Sequence, residues 1–359
     1  MRSGRARGER VWLSRRLLGN ERTMRLRDLR RRRARDPLRG AVVVITGATS
    51  GVGRATAHAF ARRRAIPVLV ARDRAALDAV VLECSRLRPS PGGADAPDGD
   101  DGSPVAAIAV AGDVGVADDV ERIRATAVER FGRIDVWVNG AGILTAGVLG
   151  DESTAEVERL VQTNVLGTAL CSRTALTQFR RQGGGTLINI ASVLGLVPNP
   201  LVPVYTMSKF AVRGLSLSLH QMTATWPGVR VCAILPGPVD TPIFERAGNH
   251  TGRALRAIPP ACAPERVAAA IVARAERPKR ETIVGAAGKA IGLGNRFAPT
   301  LTARVVGRAS AELLLRPEPA ADTRGGTFGW SGETHVHGGW RRGRHRRRAG
   351  EAIGRWQAR

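Results

Sequence analysis

The chain has 359 residues, 43% of them hydrophobic, and carries a formal charge of +25. That length holds one large α/β domain with extensions, or two domains, and the composition is that of a globular protein rather than a disordered or fibrous one. No apolar run approaches the ~20 residues needed to span a bilayer. Cys84, Cys171, Cys232 and Cys262 lie far apart with no C-x-x-C pair, which argues against a disulfide framework or a zinc site and fits a reducing cytoplasm.

The charge sits at the ends. Residues 1–40 hold 15 Arg against Glu9, Glu21, Asp28 and Asp36, and residues 317–359 hold 9 Arg against four acids. Such tails bind nucleic acid or anionic lipid, or simply reflect an Arg-biased composition. The scarcity of interleaved aromatics and of Lys favours the second reading. Residues 1–38 read as a disordered basic leader with no apolar signal-peptide core, and Met24 is a second candidate start.

From Ala41 the texture changes. The β-branched run AVVVIT ends in a Gly-rich turn that opens a helical pattern. A strand over 67–71 and a helix over 75–87 follow. Residues 88–104 are Pro, Gly and Asp and read as an exposed loop. Then come a strand over 105–111, a helix over 116–131, a strand over 134–138 and one long helix over 153–182, stopped by three glycines. A strand over 186–190, a helix over 203–226 and a strand over 229–235 continue the alternation. A looser segment at 240–262 reads as a substrate cover, and a helix over 264–277 and a strand over 282–284 close the pattern. Strand and helix in alternation predict an α/β fold: a doubly wound parallel sheet with right-handed crossovers. The expected organisation is a leader (1–38), a Rossmann-type domain (39–285), a helical extension (286–316) and a disordered basic tail (317–359). The extension, with Leu301, Val305, Val306, Leu313 and Leu314 at helical spacing, packs on the domain, lines a partner or lies on a membrane surface; packing is the expectation.

Three stretches carry chemistry. Thr46-Gly47-Ala48-Thr49-Ser50-Gly51-Val52-Gly53 lies between strand and helix, where glycines let the backbone approach a pyrophosphate held at a helix N-terminus. The second strand ends Ala71-Arg72, where NAD-preferring sites put an acid. An arginine there suits a 2′-phosphate, so NADP(H) is expected over NAD(H). Arg54 either assists or is a solvated helix residue. Tyr205 and Lys209 fall one helical turn apart, and an ammonium near a phenol favours the phenolate, making an acid/base that works nearer neutral pH. Ser192, after the apolar run Leu187–Ile190, is placed to donate a hydrogen bond to a substrate oxygen. His335, His337 and His345 lack Cys or carboxylate partners in the sequence, and no metal site is expected.

TGATSGVG, Asp113-Val114, NGAG (139–142), Asn164, Ser192, YTMSK (205–209) and PGPVDT (236–241) resemble, in order and spacing, the short-chain dehydrogenase/reductase family. The resemblance covers residues 41 to about 285. It implies Tyr205 as the acid/base, Lys209 holding the nicotinamide ribose and lowering the tyrosine pKa, and Ser192 polarising the substrate oxygen. Asn164 would anchor a water joining Lys209 to solvent. Asp113 and Val114 would contact adenine. Asn139, Ala141 and Gly142 would line the ribose side of the cofactor, and Pro236, Gly237, Val239 and Thr241 its nicotinamide end. Gly140 departs from the second Asn usual there and drops a hydrogen bond that supports the central strand. The resemblance further implies a homodimer or homotetramer formed through the helices holding Asn164 and Tyr205. Leu194, Leu196 and Val197 suggest an apolar alcohol or carbonyl substrate. The competing expectation is a non-catalytic, cofactor-sensing or nucleic-acid-associated protein acting through its basic tails.

Overall fold

The computed structural model describes residues 36–89, 105–329 and 332–341. The described residues of the N-terminal unit, 36–39, form a turn in which the Arg39 N–H donates to the Asp36 carbonyl at 3.0 Å. Residues 1–35 of the expected leader (1–38), residues 90–104 of the expected acidic loop (88–104) and the tail beyond 341 lie outside the described residues.

From Gly40 onward the alternation forms a seven-stranded sheet. In chain order its strands and helices are β1 (Val42–Thr46), α1 (Gly51–Arg62), β2 (Ile66–Ala71), α2 (Arg74–Leu87), β3 (Ile108–Ala111), α3 (Ala117–Phe131) and β4 (Val136–Asn139). They continue as α4 (Thr154–Val161), α5 (Gly167–Gln182), β5 (Gly185–Ile190), α6 (Pro203–Met222), β6 (Val229–Pro236), α7 (Pro264–Glu276), β7 (Glu281–Val284), α8 (Ala286–Phe297) and α9 (Pro299–Leu313). The strand order is β7-β6-β5-β4-β1-β2-β3, with every pair parallel. Helices cover both faces, which is why β1 reads as unbroken Val and Ile and is buried throughout. Trp137, Phe179, Ile123, Ile134 and Leu187 anchor a core cluster between the sheet and the helices α3 and α5.

Three elements differ from expectation. The helix over 153–182 is interrupted by a π-turn, Gln162–Leu166, whose extra residue re-aims Asn164. The extension is two helices, because Pro299 lacks an N–H and forces Ala298 out of helical geometry (φ −143°, ψ 66°). Finally, residues 317–329 and 332–341 do not behave as a disordered tail. Leu315–Pro319 pairs antiparallel with Arg253–Leu255, and Thr323 bridges Asn249. Hydropathy could not show this, since the segment is held by backbone hydrogen bonds rather than by an apolar face.

One of those ties is ionic. His250 is buried and its Nε2 meets Glu156 Oε1 at 2.9 Å, while its Nδ1 meets Asp322. Glu156 itself completes a capping box with Ser153 at the start of α4. Burial opposes charge on His250, but hydrogen bonds and charges from Glu156 and Asp322 outweigh it and raise its pKa above the ordinary 6.5. The neighbouring Glu152 is shifted up, chiefly by burial. Stability from the charged imidazole is therefore fully present below pH 6.5 and is lost as pH rises through the raised value. Thermal melts across pH 5.5–8.5 should show this decline, and His250→Gln should flatten it; an unchanged slope in the variant would contradict the assignment.

Candidate functional site

A cavity of ≈ 890 Å³ opens at the C-terminal ends of the strands, where a doubly wound sheet leaves its crevice. The floor is the Gly-rich turn. Gly47 has φ +70°, and a Cβ there would lie 2.8 Å from Ala141 Cα and 2.9 Å from Gly140 O. Only glycine lets the turn after β1 lie against the end of β4. The Thr46 hydroxyl then accepts from the N–H groups of both Gly140 (3.0 Å) and Ala141 (3.1 Å), locking the two strand ends together. Gly140 thus has backbone support from Thr46, and a side chain there would meet Thr46 O at 2.8 Å.

Thr49, Ser50, Gly51, Val52 and Gly53 line the cavity at the N-terminus of α1, and Arg72, Asp113 and Val114 line its far end. Asp113 accepts from Gly115 N–H at 2.9 Å and pairs with Arg159, a cavity-lining cation that no sequence motif marks. Burial pushes the Asp113 carboxyl up, but the bonds from Arg159 and Gly115 prevail and hold it below the ordinary range. Arg72 donates to Phe328 O at 2.9 Å. Arg54 is neither solvated nor part of the cavity lining: it pairs with Glu83, beside His58, and reaches Thr334 Oγ1 at 3.2 Å.

Asn139 is the one expected cofactor contact that faces elsewhere. It is buried beneath the cavity, accepting from Trp137 Nε1 (3.0 Å) and donating to Asn189 Oδ1 (2.8 Å) and Ser172 Oγ (3.2 Å), and Asn189 continues the network to Ser216. The period of two along β4 puts its side chain against the neighbouring strand and α5. Ala141 and Gly142 do line the cavity.

The opposite end holds Ser192, Tyr205 and Lys209, with Pro236, Gly237, Val239 and Thr241 along the side. Pro203 at the first turn of α6 starts that helix, which sets Tyr205 and Lys209 one turn apart. Lys209 Nζ lies 5.4 Å from the Tyr205 ring centroid and donates to Ile190 O at 3.1 Å. Asn164 Oδ1 accepts from Ile143 N–H (2.9 Å), and its Nδ2 donates to Ile143 O (3.0 Å) and Ser208 Oγ (3.1 Å). A methyl group at Gly142 would sit 3.4 Å from Asn164 Oδ1 and 3.8 Å from Lys209 Nζ, so both face one small space. The Ser192 hydroxyl accepts from Leu194 N–H at 3.1 Å, which leaves its proton to donate.

Burial decides the titration here. It pushes the Tyr205 phenol up, not down as the helical spacing alone suggested, and it pushes the Lys209 ammonium down to about 8. The phenol is thus a proton donor at neutral pH.

Apolar residues close this end: Leu144, Leu194, Val202, Ile243, Phe244 and Ile258, with Val306 and Leu314 from α9 and its end. Of the three expected apolar contacts only Leu194 lines the cavity. Leu196 packs against the cluster of Ala191, Val212, Ala233 and Leu235, and Val197 is fully buried. Periodicity announced α9 but not that its inward face would wall the site.

The short chain dehydrogenase family model matches residues 41–251. An uncharacterized oxidoreductase of Bacillus subtilis, YxnA, is 34% identical over 275 residues, 75% of this chain and 72% of the relative. A 3-oxoacyl-[acyl-carrier-protein] reductase of Synechocystis is 33% identical over 57% of this chain and 76% of its own. Among solved structures, a 3-ketoacyl-(acyl-carrier-protein) reductase from Brucella melitensis complexed with NADH aligns with a TM-score of 0.57 and 26% identity, over 69% of this chain and 98% of that one.

Asn139→Ala should therefore act on stability, leaving Trp137 Nε1 and Asn189 short of partners at a cost of about 1–3 kcal/mol. Denaturant unfolding checks this. Nicotinamide-nucleotide affinity should stay within about twofold, well under the tenfold that 1.4 kcal/mol would give. A large affinity loss at unchanged stability would return Asn139 to the cofactor surface.

Proposed function

Because this chain belongs to the short-chain dehydrogenase/reductase family, and is an NAD(P)-dependent oxidoreductase, we propose that it interconverts an apolar alcohol and its carbonyl with NADP(H). The observation that carries this reading is that one cavity holds, at one end, the Gly-rich turn with Arg72 and, at the other, Ser192, Tyr205 and Lys209 against apolar walls.

The residues fit a dinucleotide. Backbone N–H groups at the start of α1 lie in the cavity wall, where they would donate to a pyrophosphate, and the guanidinium of Arg72 at the end of β2 suits a 2′-phosphate. When bound, the nicotinamide supplies or accepts the hydride at the substrate carbon. The protein supplies the proton and the geometry. Ser192 donates to the substrate oxygen and fixes it. Tyr205, kept protonated by burial, gives its proton to that oxygen in the reducing direction and recovers it in the oxidising one. Lys209 bridges Tyr205 and the Ile190 carbonyl and stabilises charge that develops on the phenol. Asn164 holds the Ile143 backbone and Ser208 so that α6 keeps this register, with room beside Lys209 for a relay water. Apolar walls from Leu144, Phe244, Val306 and Leu314 favour a hydrophobic substrate by excluding water from its stem. The groove between α5 and α6, lined by Leu176, Leu215, Leu219 and Trp226, supports self-association through these helices.

Tyr205→Phe should bind nucleotide normally and lose turnover by 10²-fold or more, about the worth of a positioned acid; full turnover would sink the mechanism. Arg72→Ala should weaken NADPH about 10–100-fold, the loss of one charge-assisted phosphate contact, while leaving NADH nearly unchanged. Nicotinamide fluorescence titration reads both, and equal losses would place Arg72 outside 2′-phosphate recognition. Lys209, held near 8 against an ordinary 10.5, destabilises the fold most below pH 8 and less as pH rises toward 10.5. Lys209→Met should accordingly melt higher at pH 7, by about 1–3 kcal/mol of stability, while losing turnover.

A further inference from the structure

The described tail returns to the rim of the cofactor groove. Its near end is tied down by Asp322 against His250, by paired backbone bonds between Asn249 and Thr323 (2.7 and 3.1 Å) and by Gly326 N–H to Arg246 O (2.7 Å). Its far end is tied at the loop after β6. There Gly338 N–H donates to Asp240 O (3.2 Å), Trp340 N–H to Asp240 Oδ1 (2.8 Å) and Trp340 Nε1 to Thr241 O (3.0 Å), with the indole edge-on to Phe244 at 6.1 Å.

Between these ties the segment lies on groups suited to anions. The Gly51 N–H, at the N-terminus of α1, donates to His335 O at 2.9 Å. Arg72 donates to Phe328 O (2.9 Å), Arg246 to Glu333 O (3.0 Å), and Arg54 to Thr334 O. Phe328, Gly329 and Thr334 are themselves part of the cavity wall. The Arg72 guanidinium and the helix-terminal Gly51 amide thus donate to neutral carbonyls of the segment, although each binds an anionic oxygen more strongly. The segment has no apolar face holding it down: Phe328 is exposed and Trp340 only half-buried. An element with these properties opens at low cost without unfolding the domain.

We infer that residues 322–329 and 332–341 act as a strap over the cofactor groove, which must lift for a nicotinamide dinucleotide to enter or leave. This rests on the cofactor reading above. The carbonyls of Phe328 and His335 hold the phosphate-end donors until the nucleotide claims them, and the Trp340 tie couples that end of the groove to the loop expected at the nicotinamide.

The test is stopped-flow nicotinamide fluorescence on the full chain, comparing wild type with Trp340→Ala and Gly338→Val, neither of which lines the cavity. A Cβ at Gly338 would fall 2.2 Å from Trp340 Nε1 and 2.5 Å from Thr241 O, which dislodges the far tie. Both variants should raise the NADPH association and dissociation rates together, by about tenfold, as expected for losing one or two hydrogen bonds. Hydrogen exchange on wild type needs no variant: the Gly326, Gly338 and Trp340 amides should exchange far faster than those of β1. Variants that bind nucleotide with wild-type rates, or strap amides as protected as the sheet, overturn the strap while leaving the cofactor reading intact. A wild-type protein that binds neither NADPH nor NADH overturns the cofactor reading itself.

Discussion

Everything at this site rests on how closely the ends of β1 and β4 approach. One hydroxyl, Thr46 Oγ1, accepts from two consecutive N–H groups of the neighbouring strand end, and Gly47 leaves no side chain to hold them apart. The Gly-rich turn is thereby fixed relative to Ala141 and Gly142, and Gly142 in turn leaves the space into which Asn164 and Lys209 face. A buried parallel sheet needs its backbone groups paired and its polar side chains satisfied. The ladder from Trp137 through Asn139 and Asn189 to Ser216 meets that need just beneath the cavity floor. Beneath the site, then, the buried side-chain amides of Asn139 and Asn189 bond each other and their neighbours.

Above that floor, burial sets the chemistry. It keeps the Tyr205 phenol protonated and strips Lys209 of much of its preference for charge. An ammonium in such a place weakens the fold, and the cost is tolerated because the same low dielectric strengthens its interaction with the phenol and the Ile190 carbonyl. Stability and chemistry pull in opposite directions at this one residue.

The outer wall is of a different kind. Helix α9 and the residue after it close the apolar end by packing Val306 and Leu314 inward, whereas residues 332–341 close the end at the Gly-rich turn through backbone bonds and one indole. The first wall comes from hydrophobic burial. The second is polar, held by hydrogen bonds that are easily remade.

Most of the fold was legible in the residues. Period-two and continuous apolar runs located the strands, and the turn TGATSGVG between strand and helix marked one wall of the cavity, because local spacing dictates both features. The helical spacing of Tyr205 and Lys209 was legible for the same reason. What only the tertiary structure decided is whatever depends on neighbours distant in sequence. Asn139 turned inward because β5 and α5 offered it partners. The phenol's pKa went up because burial outweighed the nearby ammonium. Arg159 entered the cavity through its pairing with Asp113, 46 residues away. Residues 317–329 and 332–341, with no hydrophobic period to announce them, became ordered because the loops at 240–250 present backbone groups they can bond. Local propensity is written along the chain, but desolvation and cross-chain hydrogen bonding exist only once the chain has closed on itself.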